Sequence, residues 1–183
     1  MLLVSTGCGG EGADKKAAVE TQEATTSAPA SVASGPVPDA CTFYSKSELE
    51  SAVGWQLDDG DVEDAEPGAF KCDFETPPQM SVTTTFPNPP LPQSVRFSSM
   101  TVNTHPVKQK SFDDFRKMIG AGGEDVPGIG DGAYFYGPNM IYVRVGARGF
   151  SLRMYADPTS DSDKAKAREV MLSLARLGAT KLR

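Results

Sequence analysis

The residues able to do chemistry are few. The chain has one histidine, His105, and three cysteines, Cys8, Cys41 and Cys72. A hydrolytic triad needs an imidazole held beside a nucleophile, and His105 is the only imidazole present. No G-x-S-x-G elbow offers it a serine. One histidine and two cysteines that are expected to be bridged cannot fill a zinc site. Six acids crowd residues 58–66, DDGDVEDAE, but without the D-x-[DN]-x-[DN]-G order of an EF-hand. They read as a solvated acidic loop, with weak calcium binding as the second reading. The glycines of Gly128-Ile129-Gly130-Asp131-Gly132 are spaced like a phosphate loop. They lead into Ala133–Tyr136, a strand pattern rather than a helix, so they read as a tight turn. Pro87 to Pro92, PNPPLP, reads as a stiff exposed polyproline loop. No catalytic residue, metal ligand or cofactor site is expected.

The surface with recognition chemistry is a group of tyrosines and arginines, and a hairpin must position it. Strand patterns cover Ala69–Phe74, Ser81–Phe86, Val95–Val102, Ala133–Tyr136, Met140–Gly146 and Gly149–Tyr155. The last two read as a hairpin through Ala147-Arg148. Ile141, Val143 and Val145 then share the inner face with Phe150, Leu152 and Met154. The outer face pairs Arg144 with Ser151, Tyr142 with Arg153, and Met140 with Tyr155. Tyr142, Arg144, Arg153 and Tyr155 form the candidate binding face, because tyrosine and arginine combine cation–π and hydrogen-bonding capacity. Three helices accompany the strands. Ser45 and Glu48 form a capping box before Leu49, Ala52 and Val53, and Gly54 ends that helix. A second helix starts at Ser111 with the stripe Phe112, Phe115, Met118 and Ile119. A third runs from about Asp161 to Leu177. The expected fold is α+β: a curved antiparallel sheet with helices packed on one face.

Charge and composition narrow the surroundings. The 183 residues hold 18 basic and 24 acidic side chains, a net charge of −6. An acidic chain is a poor partner for nucleic acid. Residues 1–40 contain two lysines and five acids, and the acidic loop contains six acids and no base. The rest of the folded region is therefore mildly basic. From Gly9 to Ala40 there is no aromatic residue and no Leu, Ile or Met. Such a segment buries too little surface to offset its ordering entropy and reads as a disordered tether of about 30 Å.

The first eight residues, MLLVSTGC, place small residues directly before a cysteine. This resembles a bacterial lipobox. The resemblance implies cleavage between Gly7 and Cys8, a diacylglyceryl group on the Cys8 sulfur, and tethering to the outer face of the cytoplasmic membrane. Only three apolar residues and no base precede the small stretch, whereas a signal peptide needs a basic start and about 7–15 apolar residues. Either the signal begins upstream of Met1, or Cys8 is an ordinary free thiol. The expected organisation is a signal remnant at 1–7, a lipidated tether at 8–40 and one domain at 41–183. Setting Cys8 aside leaves Cys41 and Cys72 to pair as a disulfide in an oxidising compartment. In a reducing one they would be two buried thiols.

The folded part opens with Asp39-Ala40-Cys41-Thr42-Phe43, Ser47-Glu48-Leu49 and Val53-Gly54. It continues with Phe70-Lys71-Cys72-Asp73-Phe74 and later Val126-Pro127-Gly128-Ile129-Gly130-Asp131-Gly132-Ala133. Together these resemble a family of actinobacterial secreted lipoproteins of unknown function, over about residues 39–180. The resemblance implies surface anchoring and a Cys41–Cys72 bridge, and transfers no catalytic residue. The expected role is a non-enzymatic module that binds a small ligand or senses one. The alternative is an interaction, inhibitor or scaffold module for another envelope protein.

Overall fold

The structure, a computed structural model, describes residues 35–77, 96–157 and 160–183. Cys8, most of the tether, the expected strand Ser81–Phe86 and the polyproline segment lie outside the described residues. Seven antiparallel strands form one open sheet: β1 (Asp61–Glu63), β2 (Phe70–Glu75), β3 (Arg96–Pro106), β4 (Gly123–Asp125), β5 (Gly132–Tyr136), β6 (Met140–Val145) and β7 (Arg148–Asp157). Their spatial order is β1-β2-β3-β7-β6-β5-β4. The helices are α1 (Ala40–Phe43), α2 (Lys46–Val53), α3 (Gln109–Ile119) and α4 (Asp161–Lys181).

Alternation along the strands builds the core on one face. Cys72, Phe74, Met100, Val102, Ile141, Val143, Phe150 and Leu152 all point there and are buried. α1 and α4 cover them, and α2 packs against α4. The capping box at the start of α2 is present: Ser45 Oγ accepts from Glu48 N at 3.2 Å, and Ser45 N donates to Glu48 Oε2 at 2.7 Å. Lys181 at the end of α4 donates to Glu48 Oε2 at 2.6 Å and to the Phe43 carbonyl at 3.0 Å, tying three helices together. Tyr44 Oη donates to the Leu174 carbonyl at 2.8 Å, and Gly178 leaves room for that phenol. The Cys41–Cys72 disulfide joins α1 to β2 across a Cα separation of 5.1 Å.

Four expectations change. The helices do not share one face: α3 lies on the opposite side, where Phe112 and Phe115 meet Tyr134 and Tyr142. The reason is local, since Tyr134 and Tyr142 leave an aromatic patch on the outer face. Met118 falls off the α3 stripe and is 72% exposed. The middle of the acidic loop, Asp61–Glu63, is an edge strand paired with β2, and Gly123–Asp125 is a second short edge. Finally, the β6–β7 turn is Gly146-Ala147, because Val145 pairs with Arg148. Gly146 has φ 62°, the positive value that two-residue hairpin turns favour. The register moves by two residues, so the two faces keep their members while the cross-strand pairs change.

Candidate functional site

The outer sheet face is divided by α3. Over β5 and β6, Tyr134 and Tyr142 stack with centroids 5.3 Å apart, and Phe115 lies 5.5 Å from Tyr142. Burial raises the pKa of both phenols, Tyr134 to a value beyond the normal tyrosine range. Arg144 is only 8% exposed. Its Nη1 donates to the Gly146 carbonyl at 3.1 Å and its Nη2 to the Asp131 carbonyl at 3.3 Å. Asp131 completes this latch, since its Oδ2 accepts from Gly146 N at 2.6 Å. The Gly128–Gly132 turn is thus fastened to the hairpin turn, and it enters strand β5 as its sequence suggested. Tyr142 and Arg144 are therefore held beneath α3, and Arg144 opposes Gly149 rather than Ser151.

Arg153 and Tyr155 lie on the other half, over β2, β3 and β7, which no helix covers among the described residues. Arg153 opposes Met140 on β6 and Thr101 on β3, while Tyr155 opposes Ser99. Neither forms the pair expected from the sequence. Three transverse rows of side chains define this half. Asp73, Thr101 and Arg153 form the middle row. Lys71, Asn103 and Ser151 flank it on one side, and Glu75, Ser99 and Tyr155 on the other. All of these but Ser151, together with Met140, line an open basin of about 300 Å³. Arg153 Nη1 donates to Tyr155 Oη at 3.1 Å, and its guanidinium lies 5.4 Å from that ring centroid. Lys71 Nζ sits 3.3 Å from Asp73 Oδ2 and 3.4 Å from Glu63 Oε2. Asp73 Oδ1 and Arg153 Nε are buried without a hydrogen-bond partner. Among the described residues no carboxylate lies within ion-pair distance of Arg153.

Sequence reasoning placed Arg153 and Tyr155 on the binding face and did not place Lys71, Asp73, Thr101 and Asn103 there. The available signal was period two: Lys71 and Asp73 alternate with Cys72 and Phe74, which already declared the inner face. Asp58 is occupied by the fold, its Oδ1 accepting from Gly60 N at 3.1 Å and Glu75 N at 3.0 Å. His105 borders a separate groove under α3 with Glu66, Phe112 and Phe115. Burial lowers its pKa, and Glu66 partly opposes that shift. Among the described residues no three acids, histidines or cysteines converge as a metal site.

Fold and site together define an α+β domain with an open antiparallel sheet, fastened by one disulfide, and a mixed-charge basin on its outer sheet face. Comparison with protein families, curated proteins and solved structures finds no match for this chain.

Proposed function

We propose that this chain is an extracytoplasmic lipoprotein, anchored through Cys8 to the outer face of the cytoplasmic membrane. In this reading it belongs to the secreted lipoprotein family its motifs resemble, and it binds a ligand without transforming it. The observation that carries binding is the basin, where a charged guanidinium faces open space with no carboxylate of the described chain paired to it. Location is supported by the Cys41–Cys72 bridge, because disulfides persist mainly in oxidising compartments. A lipid, rather than a span, is the proposed attachment; among the described residues no helix is long and apolar enough to cross a membrane. Intact-mass measurement of protein extracted from its native membrane tests the anchor. The expected species begins at Cys8 and carries a diacylglyceryl group, and Cys8→Ala releases the protein from the membrane. An unmodified Cys8 thiol on membrane-free protein contradicts the reading.

One observation favours the alternative of a protein-interaction or inhibitor module. Val62 and Phe70 are diagonal neighbours at the β1–β2 edge and are 79% and 41% exposed. If that edge is the working surface, Val62→Asp with Phe70→Asp removes a co-purifying envelope protein while the basin variants do not.

A further inference from the structure

Resting on that binding reading, we infer that the basin takes a small zwitterion of the α-amino-acid type. Its carboxylate would lie on Arg153 and Tyr155, and its ammonium on Asp73. The two charges stand on strands separated by β3, with Thr101 between them. Neighbouring strands are about 4.8 Å apart, so the Asp73 and Arg153 backbones are on the order of 10 Å apart. That distance suits a molecule carrying both charged groups on one carbon, held between two side chains rising from the sheet.

The chemistry excludes the simpler ligands. An isolated anion at Arg153 would also meet the carboxylates of Asp73 and Glu75. An isolated cation at Asp73 would meet Lys71 and Arg153. Only a ligand with both signs answers both ends of the row. The fork of Arg153 suits a carboxylate, since a guanidinium can offer two parallel N–H donors. Its Nη1 is already steered by Tyr155 Oη at 3.1 Å. At the other end, Lys71 engages Asp73 Oδ2, leaving Oδ1 as the acceptor without a donor. Oδ1 is buried, so the ligand ammonium would meet Oδ2, which has a second lone pair to share beside Lys71. The walls between them are polar: Thr101 is buried, and Asn103 Nδ2 donates to Ser151 Oγ at 3.3 Å. A volume of about 300 Å³ is at the small end of ligand cavities, which favours a molecule of amino-acid size over a peptide or lipid.

The test is calorimetric titration of the full chain with each of the twenty L-amino acids at millimolar concentration. Butyrate and butylamine serve as probes carrying one charge each. The expected result is saturable binding of at least one amino acid and none of butyrate or butylamine. Arg153→Met and the near-isosteric Asp73→Asn should each weaken it by about 10- to 100-fold, the loss of one charge-assisted contact. Arg153→Lys keeps the charge without the fork and should give an intermediate loss, and thermal unfolding of each variant checks that it is folded. Binding by none of the twenty, or equal binding of butyrate or butylamine, overturns the inference. If a different small molecule is nevertheless retained from the native envelope, the ligand class fails and the binding reading stands; if nothing is retained, both fail.

Discussion

The guanidinium carbon of Arg144 lies 5.8 Å from the centroid of the Phe112 ring, pinned between α3 and the sheet. Arg153, on the neighbouring strand and the same face, has no helix above it among the described residues. This difference separates a structural arginine from one free to bind. Arg144→Met removes donors to the Gly146 and Asp131 carbonyls and is expected to cost about 1–3 kcal/mol in chemical denaturation. Arg153→Met should stay within about 0.5 kcal/mol of the parent protein. Equal losses at the two positions would contradict the division of the face.

A tighter contact joins α4 to the chain entering α2. A Cβ at Gly178 would collide with Tyr44 Oη and the Phe150 ring. Gly178→Ala is therefore expected to destabilise by about 1–3 kcal/mol through overpacking, although alanine is the better helix former. Tyr44→Phe, which removes only the bond to the Leu174 carbonyl, should cost about 1 kcal/mol. Urea denaturation midpoints check both.

Much of this was legible in sequence because local chemistry decided it. Ser45 and Glu48 announce the start of α2, and the alternation around Cys72 and Val143 assigns the inner face. The side on which α3 would pack was less legible. Phe112 and Phe115 show that the helix is amphipathic, but only the outward pair Tyr134 and Tyr142 shows where its stripe docks. The edge strands Asp61–Glu63 and Gly123–Asp125 carry no apolar pattern, because edge pairing needs only backbone groups. The hairpin register was out of reach for a related reason. A shift of two residues leaves every side chain on its face, so hydrophobic patterning alone could not choose between the two turns.

The bridge fastens α1 to β2 across a sequence separation of 31. Chain-entropy reasoning gives about 3–4 kcal/mol for a loop of this length. The double variant Cys41→Ser, Cys72→Ser should lose roughly that amount. Added reductant should then shift the parent protein toward the variant and leave the variant unchanged.

Acid should act first through His105. Burial lowers its pKa, so the folded state resists a proton that the unfolded chain binds near pH 6.5. Stability is complete above that value and falls as pH drops toward the lowered folded pKa, by at most about 1.4 kcal/mol per pH unit. Glu48 acts lower: burial would raise its pKa, but Lys181 and the Ser45 cap more than offset this and lower it. Its contribution is present above the ordinary carboxylate range and is lost as pH falls through its own lowered pKa. Melting temperatures from pH 7 to pH 5 should decline in the parent protein and flatten in His105→Gln. An identical decline in the variant would assign the effect elsewhere.

The central claim is that the half of the outer sheet face over β2, β3 and β7, around Asp73 and Arg153, holds a ligand. Native mass spectrometry of the protein isolated without denaturation from its own envelope tests this most directly, with Arg153→Met prepared in parallel. The parent protein is expected to carry a small bound molecule that is absent from the variant. A parent protein with no bound molecule, or a molecule equally retained by Arg153→Met, would contradict the account.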